Sequence, residues 1–363
     1  MTSRLNKTNI IFNNSDLDLV AIVPGANFRY LTGGNFHLME RPTVLFLKKD
    51  SKPVVILPFL EVDVFNKLNI DAEIISWQDK DGYIDAFYKA SKILGKIYSI
   101  GVEGQRIRFF ESSALQEAFP ESKILNTHAL ISKVRLLKDS NEIDALKKAI
   151  SISEKSLFNT LDFIKEEKTE LEIKNFLIQE LYKNGSEGLS FDPIVLASKN
   201  SALPHGHSTD YKLKKGDAIL FDFGGTINGY NADITRTFFL DFADDYHKDF
   251  YETVLKANLV GIENSKVGNT LNEVDDSVLT LLEESQYDQY VVHKTGHGLG
   301  LDVHEDPYVV RGNQESLEEG MVITIEPGLY NPKSIGVRIE DDVHITSNGP
   351  EILTSFTKNL TII

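Results

Sequence analysis

The sequence predicts an α+β chain built as two domains. An N-terminal α/β domain precedes a larger C-terminal domain in which helix, helix and hairpin occur twice in succession. Three observations predict this. At 363 residues the chain exceeds the roughly 250–300 residues that one hydrophobic core usually holds. Up to about residue 128, short apolar runs alternate with helix-like stretches, the signature of helices laid on a sheet. Beyond residue 138, long amphipathic helices alternate with strand pairs. The expected boundaries are 1–128 for the first domain, 129–138 for a linker and 139–363 for the second.

In the first domain, Leu17–Val23, Thr43–Leu47, Val54–Leu57 and Ile97–Val102 read as strands. Pro58–Leu68, Tyr83–Leu94 and Phe109–Phe119 read as helices. No glycine loop suited to cradling a phosphate occurs there. Asp139 and Glu142 stand at capping-box spacing and open a long helix with the stripe Ile143, Leu146, Ile150, Leu157, Leu161 and Ile164. Thr169 and Glu172 open a second helix, which ends at Asn184-Gly185. Strands Ala218–Phe223 and Asp233–Phe239 follow, joined as a hairpin around Asn228-Gly229. Helices near Tyr246–Ser265 and Leu271–Glu284, then strands Met321–Leu329 and Gly336–Ile345, repeat the order.

Composition narrows the function. Hydrophobic content of 41% and charged content of 25% are ordinary for a globular protein. A formal net charge of −16 opposes nucleic-acid binding, which needs a basic face. The absence of cysteine removes disulfides, thiolate catalysis and thiolate metal sites. No apolar run is long enough to span a membrane. The first residues lack the apolar core of a signal peptide, so a cytoplasmic location is expected.

Four carboxylates and one histidine stand in unusual strings. Asp222 lies in Phe221-Asp222-Phe223-Gly224-Gly225, and Asp233 in Ala232-Asp233-Ile234-Thr235-Arg236. His297 lies in Thr295-Gly296-His297-Gly298, Glu326 in Thr324-Ile325-Glu326-Pro327-Gly328, and Glu340 in Arg338-Ile339-Glu340-Asp341. Acids in apolar strands are costly to bury alone. A shared counter-charge accounts for all of them, and two divalent cations match the four negative charges. Residues on paired antiparallel strands can face the same side, so two facing hairpins deliver the four acids to one cleft. His297 adds one nitrogen ligand. A mainly oxygen donor set with one imidazole favours a hard to borderline ion. By contrast, Asp302, Glu305, Asp341 and Asp342 read as solvated acids at hairpin ends. His207, His247 and His344 read as surface or loop residues.

These strings resemble those of the pita-bread metallopeptidase family, which includes Xaa-Pro dipeptidase (prolidase), aminopeptidase P and methionine aminopeptidase. The likeness runs from about Arg135 to Leu353 and includes the eleven-residue interval between Asp222 and Asp233. It implies a C-terminal pita-bread fold, with the duplicated helix–helix–hairpin units around a curved antiparallel sheet. It implies that Asp222 holds one ion, that His297 and Glu326 hold the other, and that Asp233 and Glu340 bridge. The ions implied are manganese or cobalt, with zinc or iron as alternatives. His205 and His304 are implied to hydrogen-bond the substrate and the tetrahedral intermediate. His293 is implied to line the pocket near the leaving group. Arg338, two residues before Glu340 on a strand, shares its face. It resembles an arginine that orients the site, and a simple ion pair to a ligand carboxylate is the other reading. The segment Asp306–Arg311 is expected in the pocket wall.

The N-terminal domain resembles the creatinase-type extra domain of prolidases, aminopeptidase P and creatinases. The resemblance rests on Arg29-Tyr30-Leu31-Thr32-Gly33-Gly34 and Arg41-Pro42-Thr43. Plain methionine aminopeptidases generally lack this domain. In relatives it packs across a homodimer, and His37 is a candidate to reach a neighbouring subunit's site; a surface-loop role is the alternative. The activity implied is hydrolysis of the Xaa-Pro bond in dipeptides, for proline recycling, with Glu326 as general base. Aminopeptidase P, acting on longer peptides with proline second, is the near alternative. A non-peptidase or metal-dead member of the fold is the distant one, and the intact ligand set opposes it.

Overall fold

The computed structural model describes residues 2–363. It divides into two compact units, Met1–Arg135 and Leu136–Ile363. In the first, six strands form one sheet: β1 (Leu19–Ile22), β2 (Val44–Leu47), β3 (Val54–Pro58), β4 (Glu73–Trp77), β5 (Ser99–Val102) and β6 (Lys123–Asn126). Their order is β4-β3-β2-β1-β5-β6, with β1–β2 and β2–β3 antiparallel and the other pairs parallel. Helices α1 (Thr2–Asn6), α2 (Asn9–Asn13), α3 (Ala26–Thr32), α4 (Val62–Asn66), α5 (Ile84–Leu94), α6 (Phe109–Ala118) and α7 (His128–Ser132) complete the unit. The apolar faces of α5 and α6 meet the sheet through Phe87, Ala90, Ala114 and Leu115, which pack with Phe46 and Ile100.

The sequence reading left out β4 and β6, the two outermost strands. Three of the five β4 side chains and all four of β6 are at least partly exposed or polar, so neither shows an unbroken apolar run. Residues 129–135, read as linker, are helical: α7 continues into a 3₁₀ turn at Lys133–Arg135.

The second unit begins with α8 (Ser140–Leu161) and α9 (Glu170–Lys183). Both open with the expected capping boxes, in which Glu142 N–H donates to Asp139 at 3.0 Å and Glu172 N–H to Thr169 at 3.1 Å. Next come β7 (Ile194–Ala197), β8 (Ala218–Phe223), β9 (Thr226–Ile227), β10 (Tyr230–Asn231) and β11 (Ile234–Phe239). Helices α10 (Asp245–Asn264) and α11 (Leu271–Glu283) follow. The chain finishes with β12 (Gly296–Gly298), β13 (Glu305–Val309), β14 (Val322–Ile325), β15 (Gly328–Tyr330), β16 (Gly336–Arg338), β17 (Asp341–Thr346) and β18 (Gly349–Ile352).

Each half contains one long hairpin whose ladder is interrupted in the middle. In the first, β8 pairs with β11 and β9 with β10, in one unbroken register. The turn is Asn228-Gly229, both at positive φ, as a tight hairpin turn requires. In the second, β14 pairs with β17 and β15 with β16, again in one register. The first arm of each hairpin also pairs with a third strand, β7 beside β8 and β12 beside β14. The duplication of element order therefore extends to sheet pairing. Helices α8 and α9 cover the first hairpin through Leu157, Ile173 and Leu177. Helices α10 and α11 cover the second through Ile262 and Val274.

The interruptions bring backbone close to backbone. A methyl group on Gly224 would lie 1.7 Å from the Ala232 carbonyl oxygen across the first hairpin. Gly224→Ala is predicted to cost ~1–3 kcal/mol, because the strands must separate to admit the methyl. The check is a lowered denaturant midpoint at unchanged slope. An unaltered midpoint would mean that the strands do not approach this closely.

Candidate metal centre

The register explains where the acids lie. Asp222 is opposite Thr235, two residues from Asp233, so the two carboxylates sit diagonally on one face of the hairpin. Ile325 is opposite Asp341 and Gly328 opposite Arg338, which sets Glu326 directly against Glu340. His297 is on β12, at a register shift between His297 and Gly298. A methyl on Gly296 would lie 1.9 Å from the Thr324 carbonyl, so glycine is what lets β12 press against β14.

The five side chains line one cavity of about 710 Å³. His297 Nε2 is 3.4 Å from a Glu326 oxygen and 3.7 Å from an Asp233 oxygen. Donor atoms within 4.8 Å of one another form three groups: Asp222, Asp233 and Glu340; His297, Glu326 and Glu340; and Asp233, His297 and His304. Glu340, Asp233 and His297 each belong to two groups. Asp233, His297 and Glu340 are buried, and Asp222 and Glu326 are nearly so.

The electrostatics fit a cation site. Burial raises Asp233 well above the usual carboxylate range, and Glu340 and Asp222 add to the rise. Glu340 is raised by burial and then by Glu326 and Asp222. Glu326 is pushed up to about 8 by burial, although Arg338 opposes this. Burial, then the neighbouring His304, lowers His297 to about 3, which keeps its ring neutral. Its Nδ1 lies 3.1 Å from the Gly298 carbonyl oxygen. Donation from that nitrogen leaves the Nε2 lone pair facing the acids, the tautomer a metal ligand needs. Asp222 Oδ1 is buried without a hydrogen-bond partner. Oxygen-rich donors, one neutral imidazole and an unsatisfied carboxylate oxygen are what hard or borderline divalent ions bind.

The second unit matches the model of metallopeptidase family M24 over residues 144–347. The chain belongs to that family. The creatinase/prolidase N-terminal domain matches residues 4–137 of this M24 peptidase. YkvY of Bacillus subtilis is 36% identical over 338 residues, covering 93% of each chain. Among solved structures, the Xaa-Pro dipeptidase from Bacillus anthracis superposes with a TM-score of 0.91 at 33% identity, over 100% of this chain and 99% of that one. A prolidase from Thermococcus sibiricus gives 0.94 at 31%, with the same coverage. The fold is accordingly the pita-bread fold carrying a creatinase-type N-terminal domain.

Around the M24 centre, His205, His293 and His304 all line the cavity. His304 and His205 are exposed to it, and the His304 ring centre is 4.1 Å from that of His297. His293 is held at both nitrogens, by the Lys294 carbonyl and the Tyr330 hydroxyl, each at 2.7 Å. Arg338 shares the face of Glu340 and donates to Asp222 at 2.5 Å and to Tyr330 at 2.7 Å. It also donates to Thr235 at 3.1 Å, and Thr235 donates to Glu340 at 2.6 Å. Of the two sequence readings of Arg338, the ion pair to a site carboxylate is present in these contacts. His37 is not brought to this cavity; it is on an exposed stretch of the first unit, beside Arg41 and Phe36.

Three acids depart from expectation. Asp341, Glu305 and Asp342 are buried, not solvated. Asp341 bonds to Arg236 and Lys358; burial alone would raise it, and these two cations bring it to about 2. Glu305 pairs with buried Lys138 at 2.7 Å. Asp342 accepts the Asp233 N–H at 3.3 Å, so it supports a site acid from behind. The segment 306–311 does not line the cavity, whereas Asp302, Val303 and His304 do. Sequence reasoning also missed Thr235, Tyr330 and Lys294. The two-residue alternation Asp233–Thr235 and Glu326–Gly328–Tyr330 is the signal that placed the first two on the same face.

The raised acids set a sign for stability. Where a folded carboxylate holds its proton more tightly than the unfolded one, stability is lost as pH climbs between the two values. For Glu326 that window runs from 4.5 to about 8. In chelator, the melting temperature is predicted to drop by several degrees from about pH 5 to about pH 8. Divalent cations should remove most of that drop, because they need the ionised acids. Thermal melts with and without chelator check this, and a chelated protein that gains stability across the window would contradict the crowding of acids.

Proposed function

We propose that this chain hydrolyses the Xaa-Pro bond of dipeptides with two divalent cations. Asp222, Asp233, His297, Glu326 and Glu340 would hold them, with Asp233 and Glu340 shared between the two. The observation that carries this is the overlap of donor groups at one cavity: Asp233, Glu340 and His297 each join two of them, and of these only the carboxylates have two oxygens to share. Two bound cations would supply an acidified water and a Lewis acid for the scissile carbonyl.

The chain's own residues do the rest. Glu326 is at the cavity edge with part of its carboxylate accessible. It accepts the proton of the attacking water and returns it to the departing imino nitrogen. His304 and His205 face the cavity and donate to the carbonyl oxygen as negative charge develops there. Arg338 and Thr235 fix Asp222 and Glu340 in place through the hydrogen bonds given above. Phe191, Ile194, Pro204 and Val303 supply apolar wall for a pyrrolidine ring. The similarity to an Xaa-Pro dipeptidase and a prolidase supports proline as the second residue. The reading includes manganese or cobalt as working ions, a homodimer and a cytoplasmic location. No helix among the described residues is long and apolar enough to cross a membrane.

One observation favours a second reading, aminopeptidase P activity on longer peptides. A neighbouring cavity of about 840 Å³ shares Pro204, His205 and His293 and continues past them along Leu203, Tyr290, Val292 and Pro332. Residues beyond the proline would fit there. Manganese-loaded protein given Ala-Pro and Ala-Pro-Ala separates the readings. The first predicts faster cleavage of Ala-Pro, by about tenfold or more in kcat/KM. Preference for the tripeptide favours the second, and inertness toward both removes the pair.

A further inference from the structure

The cavity wall carries two strongly basic side chains, and only one is committed. Arg338 spends its nitrogens on Asp222, Tyr330 and Thr235. Lys294 has no carboxylate within 4.0 Å among the described residues, and its ammonium rests 3.8 Å above the centre of the Tyr308 ring. The carboxylates that act on it electrostatically are Glu326 and Asp275. Glu326 faces His297, and Asp275 accepts the backbone N–H groups of Thr295 and Arg311, each at 2.8 Å. Lys294 itself is half-buried. A partly desolvated ammonium without an anion is costly. An aromatic face offsets only part of that cost, and an anion entering the cavity would complete it.

We infer that Lys294, steadied on Tyr308, is a specificity-determining residue that binds the terminal carboxylate of a dipeptide substrate. The inference rests on the proposed Xaa-Pro hydrolysis and names which of its substrates the site prefers. A dipeptide ends in a carboxylate one residue past the scissile bond, whereas a longer peptide has a neutral amide at that place. An ammonium with three donors and a local positive charge tells the two apart. Tyr308 is on β13, opposite His297 and outside the cavity lining, so it steadies the lysine without occupying the substrate's space.

The test compares Ala-Pro with its C-terminal amide in wild type, Lys294→Met and Lys294→Arg, all manganese-loaded and checked for metal content. Wild type is expected to prefer the free acid by about tenfold or more in kcat/KM, the effect of a hydrogen bond to a charged group. Lys294→Met should bring that ratio close to one, mainly through KM for the acid, and Lys294→Arg should restore most of it. A purely structural lysine, or a counter-charge to Glu326, would lower both substrates together and leave the ratio intact, which overturns the assignment. Equal wild-type rates on acid and amide also overturn it while leaving Xaa-Pro hydrolysis standing. Cleavage of neither overturns the substrate reading and the assignment together.

Discussion

Mutual repulsion among four carboxylates gathered on the wall of one cavity is the constraint from which the rest of this molecule follows. Asp233 and Glu340 are almost fully buried, and every ionised neighbour makes a further ionisation harder. In the absence of cations, protons are the counter-charge available, which is why burial and crowding hold Asp233, Glu326 and Glu340 above the ordinary carboxylate range. Arg338 pairs directly with Asp222 and only partly offsets the crowding at Glu326 and Glu340. A neutral imidazole with its lone pair turned inward adds affinity for a metal without adding charge. The arrangement is poorly suited to stability and well suited to cations.

The fold answers that constraint by symmetry. Two broken hairpins, each with a third strand beside its first arm, present their interruptions to one cavity. Where the ladder pauses, backbone groups turn outward to other elements: Glu326 N–H donates to the Thr295 carbonyl and Glu340 N–H to the Thr235 carbonyl. These bonds tie the second hairpin to β11 and to the segment before β12, so Glu340, in the second half, is positioned by the backbone of the first. A layer behind the acids completes the support. Asp342 takes the Asp233 N–H, Thr235 links Glu340 to Arg338, and Arg236 crosses to Asp341 and the Glu340 carbonyl.

Much of this was legible in the sequence because the signals are local. Asp139–Glu142 and Thr169–Glu172 mark helix starts within four residues, and Asn228-Gly229 marks its hairpin within two. The five strings of the candidate site stand out because each places an acid or histidine among apolar and glycine residues. What was not legible depends on partners far along the chain. Glu305 looks like a loop acid until Lys138 meets it from 167 residues away, and Asp341 does so until Arg236 meets it from 105. Strand β12 is three residues long and shows no alternation. Lys294 and Tyr308 carry no motif at all, and their pairing emerges only from the packing of β13 against the segment before β12.

The central claim is that this cavity holds a pair of cations and not a single one. Equilibrium dialysis of the chelated full-length protein against manganese near neutral pH, followed by elemental analysis, tests it most directly. The account predicts saturation at about two ions per chain, with both lost from Glu340→Ala because that carboxylate serves each of two donor groups. Saturation at one ion per chain, or a Glu340→Ala variant that still binds two, would contradict it.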